Sequence, residues 1–131
     1  MGDGICDDFQ DAVSGALVRH KSILDVLSKF QETNARVNRA IVKAVTNCGC
    51  IKIRAEKPEI PEDTTFRELR QYMLTHLNGF LCPRCQETIE KELGKNLFYL
   101  VALCESLDLD LQEILDKECK KVNTLGIFNL T

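Results

Sequence analysis

Residues 22–50 read SILDVLSKFQETNARVNRAIVKAVTNCGC, and this stretch decides the fold class. Seven positions in it are spaced alternately by four and three residues, and six of them are apolar: Ile23, Leu27, Phe30, Asn34, Val37, Ile41 and Ala44. This heptad-like seam predicts an amphipathic helix of roughly 25 residues, which must pack against other helices. Gly49 is expected to end the helix. Asn34 is either a locally satisfied amide or a polar contact that fixes the register between helices or subunits.

Other helix starts lie on both sides of this seam. They are marked by Asp7 with Gln10, Thr65 with Glu68, Pro83, and Asp110 with Glu113. The helix after Thr65 is expected to run for about three turns, and Asn78-Gly79 is expected to end it. Residues 51–55 alternate apolar and basic side chains, which suggests a short extended segment. We therefore predict an all-α chain, an antiparallel bundle of four to five helices with a loop clipped by metal.

Length and charge restrict the function further. A chain of 131 residues with a net charge of −3 is expected to form a single domain, residues 1–131. The negative charge argues against a nucleic-acid partner. No apolar run approaches the ~20 residues of a membrane span, and the acidic first residues do not resemble a secretory signal. A cytoplasmic location is expected, and the apolar tail, residues 127–130, is expected to pack against the protein.

Four of the seven cysteines form two close pairs. Cys48 and Cys50 are followed, after 31 residues, by Cys82 and Cys85. Clustered cysteines in a cytosolic protein favour metal or redox chemistry over disulfides. Four thiolates suit a closed, tetrahedral structural site, with Zn²⁺ as the expected ion and an iron–sulfur cluster as the alternative. A dithiol redox switch is a further possibility.

The surroundings of these pairs add to the metal hypothesis. Lys52, Arg54 and Arg84 lie close in sequence and can offset the net negative charge of a four-thiolate zinc centre. His76 is more typical of a histidine at a helix end or on the surface, and it is the alternative metal ligand if one of the four cysteines is excluded. Cys104 and Cys119 lie on or near the apolar faces of predicted helices and are expected to be small residues of the core.

A second set of chemically useful residues is acidic. Glu87, Glu90 and Glu92 lie close together in the predicted fourth helix, where Mg²⁺ for phosphate chemistry would need carboxylates from facing helices. The alternative is a solvated acidic face, in which Glu87 pairs with Lys91 four residues later.

Residues 90–121 contain Lys91-Glu92-Leu93-Gly94-Lys95-Asn96, followed by an apolar and aromatic run and by Asp110-Leu111-Gln112-Glu113. This stretch resembles the second half of MazG-like nucleotide pyrophosphohydrolases. The resemblance implies a homodimeric helical fold. It also implies Mg²⁺ bound by Glu-x-x-Glu on one helix and Glu-x-x-Asp on another, acting on a nucleotide.

The departures from this family pattern concern its metal ligands. Glu92 matches one ligand, but Lys95 stands where the family has Asp. Glu32 matches another ligand, but Ala35 stands where the second Glu belongs. A lysine repels Mg²⁺, so we expect a binding or regulatory module without catalysis. Three alternatives stay open. The first is an active Mg²⁺-dependent pyrophosphohydrolase whose metal site uses Glu32, Glu87, Glu90 and Glu92, with Glu32 and Glu92 as the candidate catalytic residues. The other two are a metal sensor and a thiol redox sensor.

Overall fold

The computed structural model describes residues 4–17 and 22–125, and all structural statements concern these residues. Their regular elements are α1 Ile5–Ala16, α2 Ile23–Lys43, a π-helical turn Ala44–Cys48, β1 Ile51–Ile53, α3 Leu69–Tyr72, β2 Leu77–Gly79, α4 Pro83–Ser106 and α5 Leu111–Leu125. The predicted predominance of helix is confirmed. The bundle arrangement stays a prediction, and the apolar tail, residues 127–130, lies outside the described residues. None of the described helices is long and apolar enough to cross a lipid bilayer.

The chain divides into two compact units. The helical unit comprises residues 1–36 and 92–131, and the four-cysteine unit comprises residues 37–91. The boundaries fall within α2 and within α4. Each unit has its own apolar cluster, so each is described separately. The single domain over residues 1–131 stays a prediction.

The core of the helical unit is formed by side chains from α1, α2, α4 and α5. Its buried members are Val13, Leu17, Val26, Val101, Ala102 and Leu111. On α2 the buried Val26 is followed seven residues later by the buried Thr33, which is the periodicity of a helix face turned toward a core. The seam therefore predicted the helix correctly. Every second position of the predicted seam is covered: Ile23, Phe30 and Val37 are half-buried and Ala44 is buried. The alternate positions Leu27, Asn34 and Ile41 are exposed, and the residue before each of the first two, Val26 and Thr33, is buried in its place.

The buried side-chain amide of Gln10 connects α1 to the start of α5. Gln10 is only 8% exposed. Its Nε2 donates to the Leu109 carbonyl at 2.8 Å, and its Oε1 accepts from the Leu111 N–H at 2.8 Å. The expected capping role of Asp7 and Gln10 is wrong, because α1 already begins at Ile5 without a side-chain cap. Gln10 instead satisfies backbone groups at the start of α5.

Asn34 makes a contact between helices within the chain. Its Oδ1 accepts a hydrogen bond from Asn96 Nδ2, and the same Asn96 amide donates to Thr33 Oγ1 at 3.2 Å. The amide thus has a partner on α4, although it is exposed. This contact provides no reason for a second copy of the chain at Asn34, and the homodimer stays a prediction.

The sheet of the four-cysteine unit was predicted only in part. Ile51 pairs with Gly79 and Ile53 with Leu77, in antiparallel register. The extended segment after the first cysteine pair is confirmed, but the expected third helix of about three turns is wrong. Only Leu69–Tyr72 is helical. Phe66 and Met73 are exposed, so no packed apolar face stabilises a longer helix here.

Candidate metal centre

The four paired cysteines converge on one point of the four-cysteine unit. The sulfur atoms of Cys48, Cys50, Cys82 and Cys85 all lie within 4.8 Å of one another. The Sγ atoms of Cys48 and Cys82 are 3.7 Å apart. In a tetrahedron with metal–sulfur bonds of about 2.3 Å, two sulfurs are separated by about 3.8 Å. The arrangement therefore has the size of a tetrahedral four-thiolate site.

The first pair is positioned by the π-helical turn. Val45, Thr46 and Asn47 are poor helix formers, and α2 widens into the π turn at this point. The turn closes with the Gly49 N–H donating to the Ala44 carbonyl at 2.9 Å. Gly49 has a φ of 78°, which glycine adopts without a steric penalty. The chain reverses there, and Cys50 Sγ comes within 3.9 Å of the same Ala44 carbonyl.

The second pair is positioned by the start of α4. Cys82 precedes Pro83, the first residue of the helix, and its sulfur accepts from the Cys85 N–H at 3.4 Å. This is the bond that the oxygen of a serine or aspartate makes at a helix N-cap. The Cys82 carbonyl also accepts the first helical bond, from the Gln86 N–H at 2.9 Å. Helix capping thus places the Cys82 sulfur beside Cys85.

The small sheet brings the two pairs together. Cys50 directly precedes β1, and Cys82 follows β2 after two residues, so antiparallel pairing places both at the same end of the ladder. The strands approach closely at Gly79, whose φ is 90°. A Cβ atom at this position would lie 2.6 Å from the Cys50 carbonyl oxygen. Gly79 is therefore required for the close approach of β2 to the first cysteine pair.

The four sulfurs differ in their surroundings. Cys50 and Cys85 are half-buried and pack against the unit's apolar cluster around Ala44, Ile51 and Ile89. Cys48 and Cys82 are not part of that cluster; Cys48 is exposed, and Cys82 is half-buried. We call Cys50 and Cys85 the inner pair and Cys48 and Cys82 the outer pair. Each pair contains one cysteine from each end of the intervening loop.

Proximity of the sulfurs also alters their acidity. The Cys85 N–H, and secondly the Cys85 thiol, lower the pKa of Cys82 to about 7 by hydrogen bonding to its thiolate. The same thiol contact to Cys82 raises the pKa of Cys85 to about 12. One thiolate is therefore readily formed, whereas the next proton is lost with difficulty because negative charge accumulates. A cation bound by all four sulfurs would remove this penalty and release protons.

A cleft lined by two cations opens beside Cys48 and Cys85, one cysteine from each pair. Its volume is about 250 Å³, and its lining also includes Lys43 and Arg84. Within the described part of the chain, neither Lys43 nor Arg84 forms an ion pair with a carboxylate. Arg84 was expected near the site from its position in the sequence, whereas Lys43 was not.

The candidate catalytic carboxylates are engaged with cations. Glu32 lies 3.1 Å from Lys29 Nζ and 3.5 Å from Arg36 Nη2, and the Lys29 contact lowers the pKa of Glu32. Glu92 lies 3.5 Å from Lys95 Nζ. Both glutamates belong to the helical unit. In the described ranges, the four cysteines are the one group of three or more potential metal ligands whose donor atoms converge, so neither glutamate joins such a group.

The other candidate ligands, Glu87, Glu90 and His76, are not part of the four-cysteine group. Glu87 is 3.8 Å from Lys91, as the acidic-face interpretation predicted. Glu90 accepts from the Gln86 amide at 3.4 Å. His76 Nδ1 accepts from the Glu56 N–H at 3.3 Å and is not part of the cysteine group.

The two cysteines expected in the core differ from each other. Cys104 is buried, as predicted. The prediction for Cys119 is wrong, because this residue is exposed on α5 and its sulfur accepts from the Asn123 amide at 3.5 Å.

Sequence reasoning missed the strand that completes the site. The sequence predicts an extended segment over residues 51–55, and the N–H and C=O groups of an extended segment need partners. That requirement was the available signal for a second strand. Leu77–Gly79 was instead assigned to the end of a helix because Asn78-Gly79 is a common helix stop.

Comparisons with known proteins provide no assignment. No family model matches the chain, and no curated protein or solved structure matches it either. The resemblance to MazG-like pyrophosphohydrolases therefore stays a prediction, and the case for function depends on the geometry of the four sulfurs.

Proposed function

We propose that this protein binds one Zn²⁺ ion through Cys48, Cys50, Cys82 and Cys85, and that the ion holds the four-cysteine unit in its folded form. The observation that carries the proposal is the convergence of the four sulfur atoms within 4.8 Å. Sulfur ligands in a tetrahedral arrangement select zinc or iron among the common metals. Four protein ligands leave no position for a water molecule, so the role is structural.

The distances favour a single ion over an iron–sulfur cluster. In a cluster some of the four thiolates bind different iron atoms, which separates their sulfurs by more than one tetrahedral edge. Here all four sulfurs lie within 4.8 Å of one another, and those of Cys48 and Cys82, from opposite ends of the loop, are 3.7 Å apart. These separations fit four ligands of the same ion.

The composition of the four-cysteine unit fits a dianionic centre. Residues 37–91 contain nine lysines and arginines and seven aspartates and glutamates, a formal charge of +2. A zinc ion with four thiolates contributes a charge of −2, which makes the loaded unit neutral. The helical unit has eight basic and thirteen acidic residues, a charge of −5. The positive charge thus lies in the part of the sequence that contains the site.

For the helical unit we propose a binding or regulatory role without catalysis, on a MazG-like scaffold. Two observations support this role. Glu92 contacts Lys95, and Glu32 contacts Lys29 and Arg36, so cations already occupy the places where Mg²⁺ would compete. Within the described residues no three carboxylates bring their oxygen atoms together at metal-binding distance.

The proposal is tested by the metal content of the purified full chain. We expect one zinc per chain by elemental analysis, and a Co²⁺-substituted protein with the visible absorption of tetrahedral thiolate ligation. Replacing any of the four cysteines with serine should lower the zinc content, whereas Cys104→Ala and Cys119→Ala should leave it unchanged. A chain without stoichiometric zinc or iron, whose thermal unfolding is the same with and without chelator, would refute the site.

A further inference from the structure

We propose that the outer pair, Cys48 and Cys82, is a peroxide-sensitive dithiol that releases the metal when it is oxidised to a disulfide. The inference rests on the proposed metal site and concerns its regulation. It assigns different tasks to the four ligands: the outer pair reacts, and the inner pair, Cys50 and Cys85, stays reduced.

The first argument is distance. The Sγ atoms of Cys48 and Cys82 are 3.7 Å apart, so a movement of less than 2 Å brings them to the ~2.05 Å of a disulfide bond. These residues are 34 positions apart in the sequence. A bond between them would keep the two ends of the loop joined after the metal has left.

The second argument is access. Cys48 is the exposed member of the four, whereas Cys50, Cys82 and Cys85 are half-buried, and Cys50 and Cys85 also pack against the apolar cluster of the unit. Oxidation of cysteine follows solvent access and thiolate character. A small oxidant therefore reaches Cys48 first, and Cys82 is the partner at disulfide-forming range.

The third argument is the cleft beside Cys48. Lys43 and Arg84 line it together with Cys48 and with Cys85 of the inner pair, and neither cation has a carboxylate partner among the described residues. Of the two cysteines Cys48 is the exposed one. Nearby cations stabilise its thiolate and the hydroxide that leaves the peroxide during oxidation. The cleft of about 250 Å³ is large enough to admit hydrogen peroxide.

The chemistry requires one hydroperoxide as the oxidant. The Cys48 thiolate attacks a peroxide oxygen, the O–O bond breaks, and the released hydroxide takes up a proton to become water. The Cys82 thiolate then attacks the sulfur of the Cys48 sulfenic acid. The S–S bond forms, the S–O bond breaks, and a second hydroxide leaves as water. Two thiolates lose two electrons, hydrogen peroxide gains them, and the metal loses two of its four ligands.

The test treats the zinc-loaded full chain with one equivalent of hydrogen peroxide. Zinc release is followed with a chromogenic chelator, and free thiols are alkylated before the disulfides are mapped by mass spectrometry. We expect one zinc released per disulfide formed, with Cys48 joined to Cys82 and with the inner pair alkylated. A disulfide between Cys82 and Cys85 or within the inner pair, or zinc retained under oxidation, would overturn the inference.

Two histidine variants provide a matched comparison, because histidine preserves a zinc ligand without a thiol. Cys48→His is expected to slow peroxide-driven zinc release by about tenfold or more, and Cys50→His is expected to release zinc at nearly the wild-type rate. Equal slowing in both variants would contradict the assignment. If a variant fails to load zinc, the disulfide map of the wild-type protein still decides.

Different results would refute the proposed function and this inference. A wild-type chain that contains no stoichiometric metal before peroxide is added refutes the metal site, and the inference with it. A chain that contains zinc but forms a different disulfide, or none, refutes the inference alone.

Discussion

The two units of this protein are stabilised in different ways. The helical unit buries six apolar side chains in one cluster, and a buried amide links α1 to the start of α5. The four-cysteine unit buries three, Ala44, Ile51 and Ile89, and places four sulfurs at the edge of that cluster. A small apolar core seldom stabilises a fold without a further cross-link. The comparison supports the proposal that a bound metal ion stabilises the four-cysteine unit in place of apolar burial.

The largest expected effect follows removal of the metal. Structural zinc contributes on the order of 10 kcal/mol in small zinc-dependent folds, which exceeds what three buried residues can supply. Chelation should therefore abolish hydrogen-exchange protection of the β1 amides, Ile51–Ile53, while protection of α1 persists. The measurement is hydrogen exchange with and without a strong chelator, resolved by peptide. Equal protection of β1 in both conditions would remove the distinction between the units.

A smaller effect is expected at the buried amide of the helical unit. Gln10→Leu leaves the Leu109 carbonyl and the Leu111 N–H without their partner, which should lower the free energy of unfolding by about 1–3 kcal/mol. Urea denaturation followed by circular dichroism measures this change, and the zinc content should be unaltered. Gln31→Leu on the exposed surface of α2 is the control and should change stability by less than about 0.5 kcal/mol. Similar effects in the two variants would contradict the role of Gln10.

Gly79 tests the close approach in the four-cysteine unit. Gly79→Ala places a methyl group against the Cys50 carbonyl at a φ of 90°, so β2 must shift away from the first cysteine pair. We expect a cost of about 1–2 kcal/mol, seen as roughly tenfold weaker zinc binding in competition with a chelator.

Gly94→Ala is the matched control for this substitution. Its added methyl group meets no atom within 4 Å, and the residue lies inside α4. It should leave zinc affinity unchanged and increase helix stability by up to about 1 kcal/mol. Weaker zinc binding in this variant as well would show that the effect at Gly79 is not local.

The smallest effect is expected at the carboxylates. Glu92→Gln removes the ion pair between Glu92 and Lys95. Because the Lys95 side chain is largely exposed, the substitution should change the free energy of unfolding by less than about 0.5 kcal/mol. The wild-type protein should release no pyrophosphate from nucleoside triphosphates in the presence of Mg²⁺. Mg²⁺-dependent release that Glu92→Gln abolishes would restore the hypothesis of an active pyrophosphohydrolase.

Local signals in the sequence predicted several elements because local forces decide them. The seam from Ile23 predicted α2, and Pro83 is the first residue of α4. Asp110 forms the expected cap, with its Oδ2 accepting from the Glu113 N–H at 3.0 Å. The short spacing within each pair of cysteines likewise predicted that its two sulfurs could bind one ion, whereas the meeting of the two pairs across 31 residues was inferred from the four ligands that such an ion needs. Helix periodicity, capping and short ligand spacing all act within one or two turns, so they can be recognised without a three-dimensional structure.

The tertiary structure alone decided features that depend on residues far apart in sequence. Gln10 was interpreted as a local cap, yet its partners lie about a hundred residues away. The residues of β2 were interpreted as the end of a helix, because their partner strand precedes them by more than twenty residues. The division of the cysteines into an inner and an outer pair likewise depends on which of them pack against Ala44, Ile51 and Ile89. Short motifs have several stable local conformations, and long-range packing and hydrogen bonding select among them.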